Sequence, residues 1–198
     1  MSRFTCLIIL PVLFVSGLSA QRPLNNTFGI SMGFTPGITD LYIGNPMDIW
    51  PSRLSGTAYH IFYSVGFGDF LRAGPYYEYE QVRFSESITT GIYGFDRYNI
   101  GINWLGQFLK GAFHLQLGGY LGYGFLKARN WDRLTGFDLG MMAGPAYELK
   151  RFGAAIHIET GHAKYKSGGT PSDVVLYSPR ILLKAYYRFS WSDVFGKG

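Results

Sequence analysis

Residues 113–125 read FHLQLGGYLGYGF. Phe113, Leu115, Leu117, Leu121, Tyr123 and Phe125 fall on one side of a two-residue repeat, and His114, Gln116, Gly118, Tyr120, Gly122 and Gly124 on the other. Successive side chains of a β-strand point to opposite faces, so alternation over this length predicts a strand with one apolar and one mixed face. The glycines keep the period of the strand. They are packing residues, whereas a phosphate-cradling loop opens a helix.

Seven further segments repeat the pattern on either side. Toward the N-terminus, apolar positions Phe28 to Phe34 alternate with Thr27 to Thr35, and Tyr59 to Phe67 with His60 to Gly68. Leu71 to Tyr79 alternate with Arg72 to Glu80, and Tyr98 to Trp104 with Arg97 to Asn103. Toward the C-terminus, Phe137 to Tyr147 alternate with Asp138 to Glu148, Ala154 to Ile158 with Ala155 to Glu159, and Ile181 to Trp191 with Leu182 to Ser190. Across all eight segments the first-named face carries no charge. The other carries nine: Arg72, Glu78, Glu80, Arg97, Asp138, Glu148, Glu159, Lys184 and Arg188.

Composition agrees. The 198 residues include 27 Gly, 16 Phe, 15 Tyr and 4 Trp, and only 16% are charged, against about 25% in ordinary soluble domains. Disordered chains run the other way, rich in charge and poor in aromatics. The length suits one domain.

Two architectures accommodate such strands. A soluble lipocalin-like barrel turns its apolar face inward around a ligand. A membrane barrel turns it outward to lipid and keeps the polar face for the lumen. Glycine decides between them, because Gly29, Gly33, Gly101, Gly118, Gly122, Gly140 and Gly144 all sit on the charged face. A solvent face gains nothing from glycine, which weakens strands. The lumen of an eight-stranded barrel is only wide enough for side chains to fill it, and there glycine makes room for Tyr76, Tyr120 and Tyr186. Aromatics toward the ends of the apolar face (Tyr59, Tyr79, Tyr98, Trp104, Phe125, Tyr147, Trp191) suit interfacial girdles.

The fold expected is therefore all-β: an eight-stranded antiparallel up-and-down transmembrane β-barrel over residues 21–198. Connections alternate long (36–58, 81–96, 126–136, 162–177) and short (68–70, 105–111, 149–153), the asymmetry of outer loops and periplasmic turns. A near repeat, Ala73-Gly74-Pro75-Tyr76-Tyr77-Glu78 and Ala143-Gly144-Pro145-Ala146-Tyr147-Glu148, predicts a bulge or bend at its prolines.

Ahead of the barrel, Arg3, the apolar run Leu7 to Val15 and the small residues near Ala20 predict a signal peptide over 1–20, with Gln21 as the mature start. The run is too short to span a bilayer as a helix. The single cysteine, Cys6, lies within it, so residues 21–198 offer no disulfide or thiolate metal ligand. Those residues carry a net charge of +4. Their bases are scattered rather than striped, which argues against nucleic acid as a partner.

The chain resembles the small eight-stranded outer-membrane β-barrel proteins of Gram-negative bacteria, of the OmpA/OmpX-like kind. The resemblance spans residues 21–191 and rests on the paired A-G-P-x-Y-E segments and the closing strand Arg180 to Phe189. It implies a place in the cell outer membrane, contact with its lipid and lipopolysaccharide, and handling by the barrel insertion machinery. That machinery reads a C-terminal aromatic. Here a short tail, 192–198, follows Trp191, so the signal is displaced or carried by Phe195.

Barrels of this size also include a lipid A deacylase and a palmitoyltransferase. The deacylase pattern needs a His-x-Ser pair and a Glu on the next strand. His157-Ile158-Glu159 and His162-Ala163-Lys164 lack the Ser, and the following segment offers Lys184 and Arg188 in place of an acid. The transferase pattern needs His, Asp and Ser at the outer rim. His162, Ser167, Ser172 and Asp173 share one loop, but nucleophilic activation requires hydroxyl, base and acid brought together. His114, His157 and Glu159 face the lumen, and the His157-x-Glu159 pair on one strand face has no identified third metal ligand. No catalytic, cofactor-binding or metal-binding residue is assigned, and a wide pore needs about 16 strands.

The function expected is that of a non-enzymatic outer-membrane barrel whose surface loops serve adhesion, interaction or envelope integrity. A lipid A-modifying enzyme and a narrow solute channel are the alternatives. The nine lumen charges are expected to close the lumen as a salt-bridge network, because an unpaired buried charge costs several kcal/mol. Lys184 and Arg188 should reach across to Glu159 and to Glu78 or Glu80.

Overall fold

The computed structural model describes residues 26–35, 39–43, 49–52, 54–68, 70–84, 94–108, 111–128, 133–166 and 173–191. The expected leader 1–20, Gln21, the tail 192–198 with Phe195, and Ser167 and Ser172 lie outside the described residues. Ten strands run in chain order: β1 (Asn26–Thr35), β2 (Thr39–Ile43), β3 (Ile49–Ser52), β4 (Leu54–Phe67), β5 (Leu71–Phe84), β6 (Gly94–Phe108), β7 (Phe113–Ala128), β8 (Leu134–Leu149), β9 (Phe152–Lys166) and β10 (Asp173–Phe189). β1 pairs with both β4 and β10, and β4 to β10 pair in sequence. These eight close an antiparallel barrel with no free edge. The hairpin β2–β3 docks on the remaining length of β10.

The two faces fall where alternation places them. Ile30 is 57% exposed and Met141 72%, and Phe28, Ile61, Tyr77, Ile100, Leu117, Leu139, Ile158 and Leu183 are exposed around the whole circumference. Soluble monomers rarely expose apolar patches beyond a few hundred Å². Hydrocarbon is the solvent this belt fits, and closure leaves no strand edge to be desolvated there. Val65 is the exception: assigned to the lipid face, it is buried opposite Asn26, where the Tyr63 hydroxyl donates to Asn26 Oδ1 at 2.6 Å.

Aromatics bound the belt. Tyr59, Tyr79, Tyr98 and Phe125 stand directly opposite one another across β4 to β7, with successive ring centroids 6.5, 5.0 and 4.7 Å apart. At the other rim Phe70 meets Phe108 edge-on at 4.9 Å, and Phe152 lies 5.1 Å from Tyr187.

The strands are longer than the sequence pattern suggests. β4 to β10 have 14 to 17 residues, where a tilted bilayer crossing needs about 9–11. Most of the surplus lies at the long-loop rim, with 105–108, 149 and 152–153 added at the short-turn rim. Residues 54–58, 81–84, 94–96, 126–128, 134–136, 162–166 and 173–177, all expected in connections, are strand. Above the girdle the polarity of the wall reverses. Val82, Phe95, Leu126, Leu134, Tyr165 and Leu176 point inward and are buried, while Arg83, Lys127, Lys164 and Lys166 point outward. The barrel goes on past the belt with the apolar-inside plan of a soluble protein.

The first long connection is also built from strand. Thr35 pairs with Gly56 and Thr39 with Ser52, so β1–β2 and β3–β4 share one register. Against β10, Phe34 pairs with Ile181 and Ile43 with Val174. The pairings of β1 and β2 against β10 therefore differ in register by two residues. At the opposite rim Leu149 pairs with Phe152, leaving Lys150 and Arg151 as a two-residue turn with Lys150 at φ 54°.

The paired A-G-P segments hold no bulge. Phe62 pairs with Tyr76 and Val65 with Ala73; Ala143 pairs with Ile158 and Ala146 with Ala155. In each case the ladder skips two positions and resumes in the same register. Proline has no N–H to donate, and Gly74 and Gly144 let the neighbouring strand's backbone close in on the gap.

Candidate functional site

Inside the barrel the charged side chains are arranged in storeys. Near the short-turn rim Glu148 is a hub. Arg188 pairs with its Oε2, Arg72 Nη1 lies 3.2 Å from its Oε1, and the Tyr186 hydroxyl and Gln107 amide donate to Oε1 at 2.9 and 3.3 Å. Arg72 also donates to Thr27 Oγ1 at 3.3 Å. A chain of side-chain hydrogen bonds leads upward from this hub. His114 Nε2 accepts from Gln107 and Gln116 at 3.0 and 3.1 Å, and Gln116 Oε1 meets His157 Nε2 at 2.9 Å.

A layer of Phe62, Tyr76, Leu105, Tyr120, Met142 and Tyr186 fills the middle. Here glycine does what the alternation implies. A Cβ at Gly140 or Gly161 would run into the Tyr120 ring, and one at Gly153 into Tyr186. Lys184 Nζ ends in this layer, 3.2 Å from Met142 Sδ and 5.5 Å from the centre of the Phe62 ring. Two internal cavities beside it measure about 10 Å³ each, roughly room for one water.

Above the middle layer two guanidinium groups bind four carboxylates. Arg97 contacts Glu78, Glu80 (2.7 Å) and Asp138 (3.0 Å). Arg180 contacts Glu78 (2.7 Å), Glu80 (3.4 Å) and Glu159. Asn99 donates to Asp138 at 2.8 Å and to the Tyr76 hydroxyl at 3.3 Å, and His60 Nε2 lies 3.2 Å from Glu78 Oε2. Both arginines and all four acids are no more than 1% exposed. The planar fork of arginine suits such shared, multidentate contacts. The inward apolar residues of the extended rim, with Ala58 and Ala163, cap this storey.

Two expected pairings are not those observed. Lys184 lies one storey too low to meet Glu159 and makes no salt bridge within 4.0 Å among the described residues. Arg188 stays at the short-turn rim with Glu148 instead of crossing to Glu78 or Glu80. Arg180 takes both roles. Continuing the alternation of β10 one step back from Leu182, past Ile181, would have placed it inward. His114 and His157 are bridged by Gln116, and Glu159 belongs to the arginine storey, so the three do not converge. His162 faces outward. The near repeat gains a meaning that its prolines did not suggest: its final acids, Glu78 and Glu148, are the hubs of the two clusters.

No protein-family model matches the chain, and no curated protein matches it in sequence. In three dimensions it is similar to Neisserial surface protein A, with a TM-score of 0.54 and 13% identity over 79% of this chain and 95% of that one. It is also similar to the outer membrane protein OprG from Pseudomonas aeruginosa, with a TM-score of 0.52 and 12% identity over 84% of this chain and 96% of that one. The outer membrane enzyme PagL aligns at a TM-score of 0.47 and 13% identity over 80% of this chain and 97% of its own. At such identities the likeness is one of fold. The chain is a closed eight-stranded antiparallel β-barrel with the architecture of small outer-membrane barrels.

Proposed function

We propose that the chain is a non-enzymatic integral protein of the outer membrane, exported on residues 1–20. Its barrel is a sealed stem that holds the long connections at the cell surface, for adhesion, interaction or envelope integrity. The observation that carries this reading is the filled lumen inside the lipid belt. Two arginines and four carboxylates, at most 1% exposed, lie between an aromatic layer and an apolar cap. A solute path needs a continuous wet lumen, and the two cavities beside Lys184 measure only about 10 Å³ each. Two of the lumen histidines are hydrogen-bonded, His114 to two glutamine amides and His157 through Nε2 to Gln116, while His60 Nε2 lies 3.2 Å from Glu78 Oε2 without a hydrogen bond. Extension of the strands past the girdle also supports the reading, since it gives the surface connections a rigid, packed base.

The test combines three measurements on one protein. The refolded chain should migrate faster unboiled than boiled on a denaturing gel. In planar bilayers it should give no conductance steps. Lipid A from cells with and without the gene should have the same masses. Stepwise conductance would make it a channel, and a gained or lost acyl chain would make it an enzyme.

A further inference from the structure

Among the described side chains, exposed cations cluster at the extended rim. Arg83 on β5, Lys127 at the end of β7, Arg133 just before β8, and Lys164 and Lys166 on β9 are all exposed. Among the described side chains at this level Asp96 is the one acid. It lies on β6 with Arg83 3.9 Å away and accepts from the Tyr79 hydroxyl. The sector β7 to β9 carries the other four cations. Phe125 pairs with Thr135, Thr135 with Lys166, and Phe137 with Lys164, so these cations occupy neighbouring positions on three strands, about 10 Å across. The Arg133 guanidinium lies 3.6 Å from the centre of the Phe125 ring. That contact holds a positive charge against the girdle itself.

Resting on the orientation proposed above, with the long-loop rim outermost, we propose that Lys127, Arg133 and Lys164 form a binding collar for the phosphate groups of outer-leaflet lipid. The height of the collar and the direction of its side chains select this partner. The cations stand immediately above an apolar belt and point sideways into the surrounding leaflet, where lipid phosphates lie. A soluble polyanion would come from above, onto the loops. Aromatic residues mark the headgroup level, and cations just beyond it are attracted to anionic lipid surfaces.

The test uses the full chain folded in detergent, with folding checked by the unboiled gel shift, and native mass spectrometry of bound lipid. The probes are bisphosphorylated lipid A, the same lipid with its phosphates removed, and soluble polyphosphate. The expected result is at least tenfold stronger retention of the phosphorylated lipid than of the dephosphorylated one. That preference should vanish in K127Q/R133Q/K164Q and persist in K150Q/R151Q at the opposite rim. Equal retention of both lipids, or a preference unchanged in the triple variant, overturns the collar. So does polyphosphate bound as tightly as the lipid, which would indicate a surface ligand. Loss of the gel shift in the unaltered chain would instead overturn the membrane barrel.

Discussion

Replacing Arg180 by leucine keeps much of the side-chain volume and removes a cation that contacts three carboxylates. Glu78 and Glu80 retain Arg97, the latter at 2.7 Å. Glu159 loses its partner, and Lys184, the next cation along β10, ends against Met142. The penalty is therefore mainly that of one orphaned carboxylate in a site 1% exposed, about 3–5 kcal/mol for breaking a buried pair. Guanidinium unfolding in lipid vesicles, followed by the gel shift, measures it as a lowered midpoint. Adding Glu159→Gln should restore much of the loss, since a neutral amide is far cheaper to leave in that site than a carboxylate. A single-variant loss below about 1 kcal/mol, or a double variant no more stable than Arg180→Leu, would refute the dry, paired lumen.

Arg188→Ala should cost less, about 1 kcal/mol. Its side chain is 25% exposed, and Glu148 keeps Arg72 and the Tyr186 hydroxyl; the same unfolding assay measures the difference. Lys150→Gly should raise the unfolding free energy by about 0.5–1 kcal/mol, because a lysine at φ 54° occupies a region that glycine enters without strain. Gly161→Ala should lower it by about 1–3 kcal/mol by overpacking against the Tyr120 hydroxyl, and Tyr120→Phe in the same chain should recover part of that. Mass spectrometry of the exported protein should find Gln21 as its first residue.

The alternation that makes β7 readable also explains where the reading stops. Within the belt every outward residue is apolar, so inside and outside are told apart by chemistry alone. Past the girdle the signs exchange: on β9, Thr160, His162 and Lys164 face out while Ala163 and Tyr165 face in. A search for apolar-outward strands takes such a stretch for a loop. Gln81-Val82-Arg83-Phe84 is lost in the same way, although its parity never changes. Arg180 escapes because the alternation on the closing strand is counted only from Ile181, just past Pro179. Yet Pro179 sits in the ladder opposite Thr160, where a missing N–H is tolerated. The nine lumen charges follow from parity, but their partners do not. Pairing depends on height, and height depends on the tilt and register of strands distant in sequence. That is why Lys184 and Arg180, both inward on β10 but four residues, about 13 Å, apart, end in different storeys.

The most direct test returns to residues 113–125. The chain beyond Cys6 has no thiol, so single cysteines at 114, 115, 116, 117, 120 and 121 can be placed in the folded protein in lipid vesicles. Each is offered a charged, water-soluble thiol reagent and a lipid-soluble one. Cysteines at 115, 117 and 121 should react with the lipid-soluble reagent alone, and those at 114, 116 and 120 with neither. Charged-reagent labelling at 116 and 120 would show a wet lumen, and lipid-soluble labelling at the even positions would show that the faces are reversed.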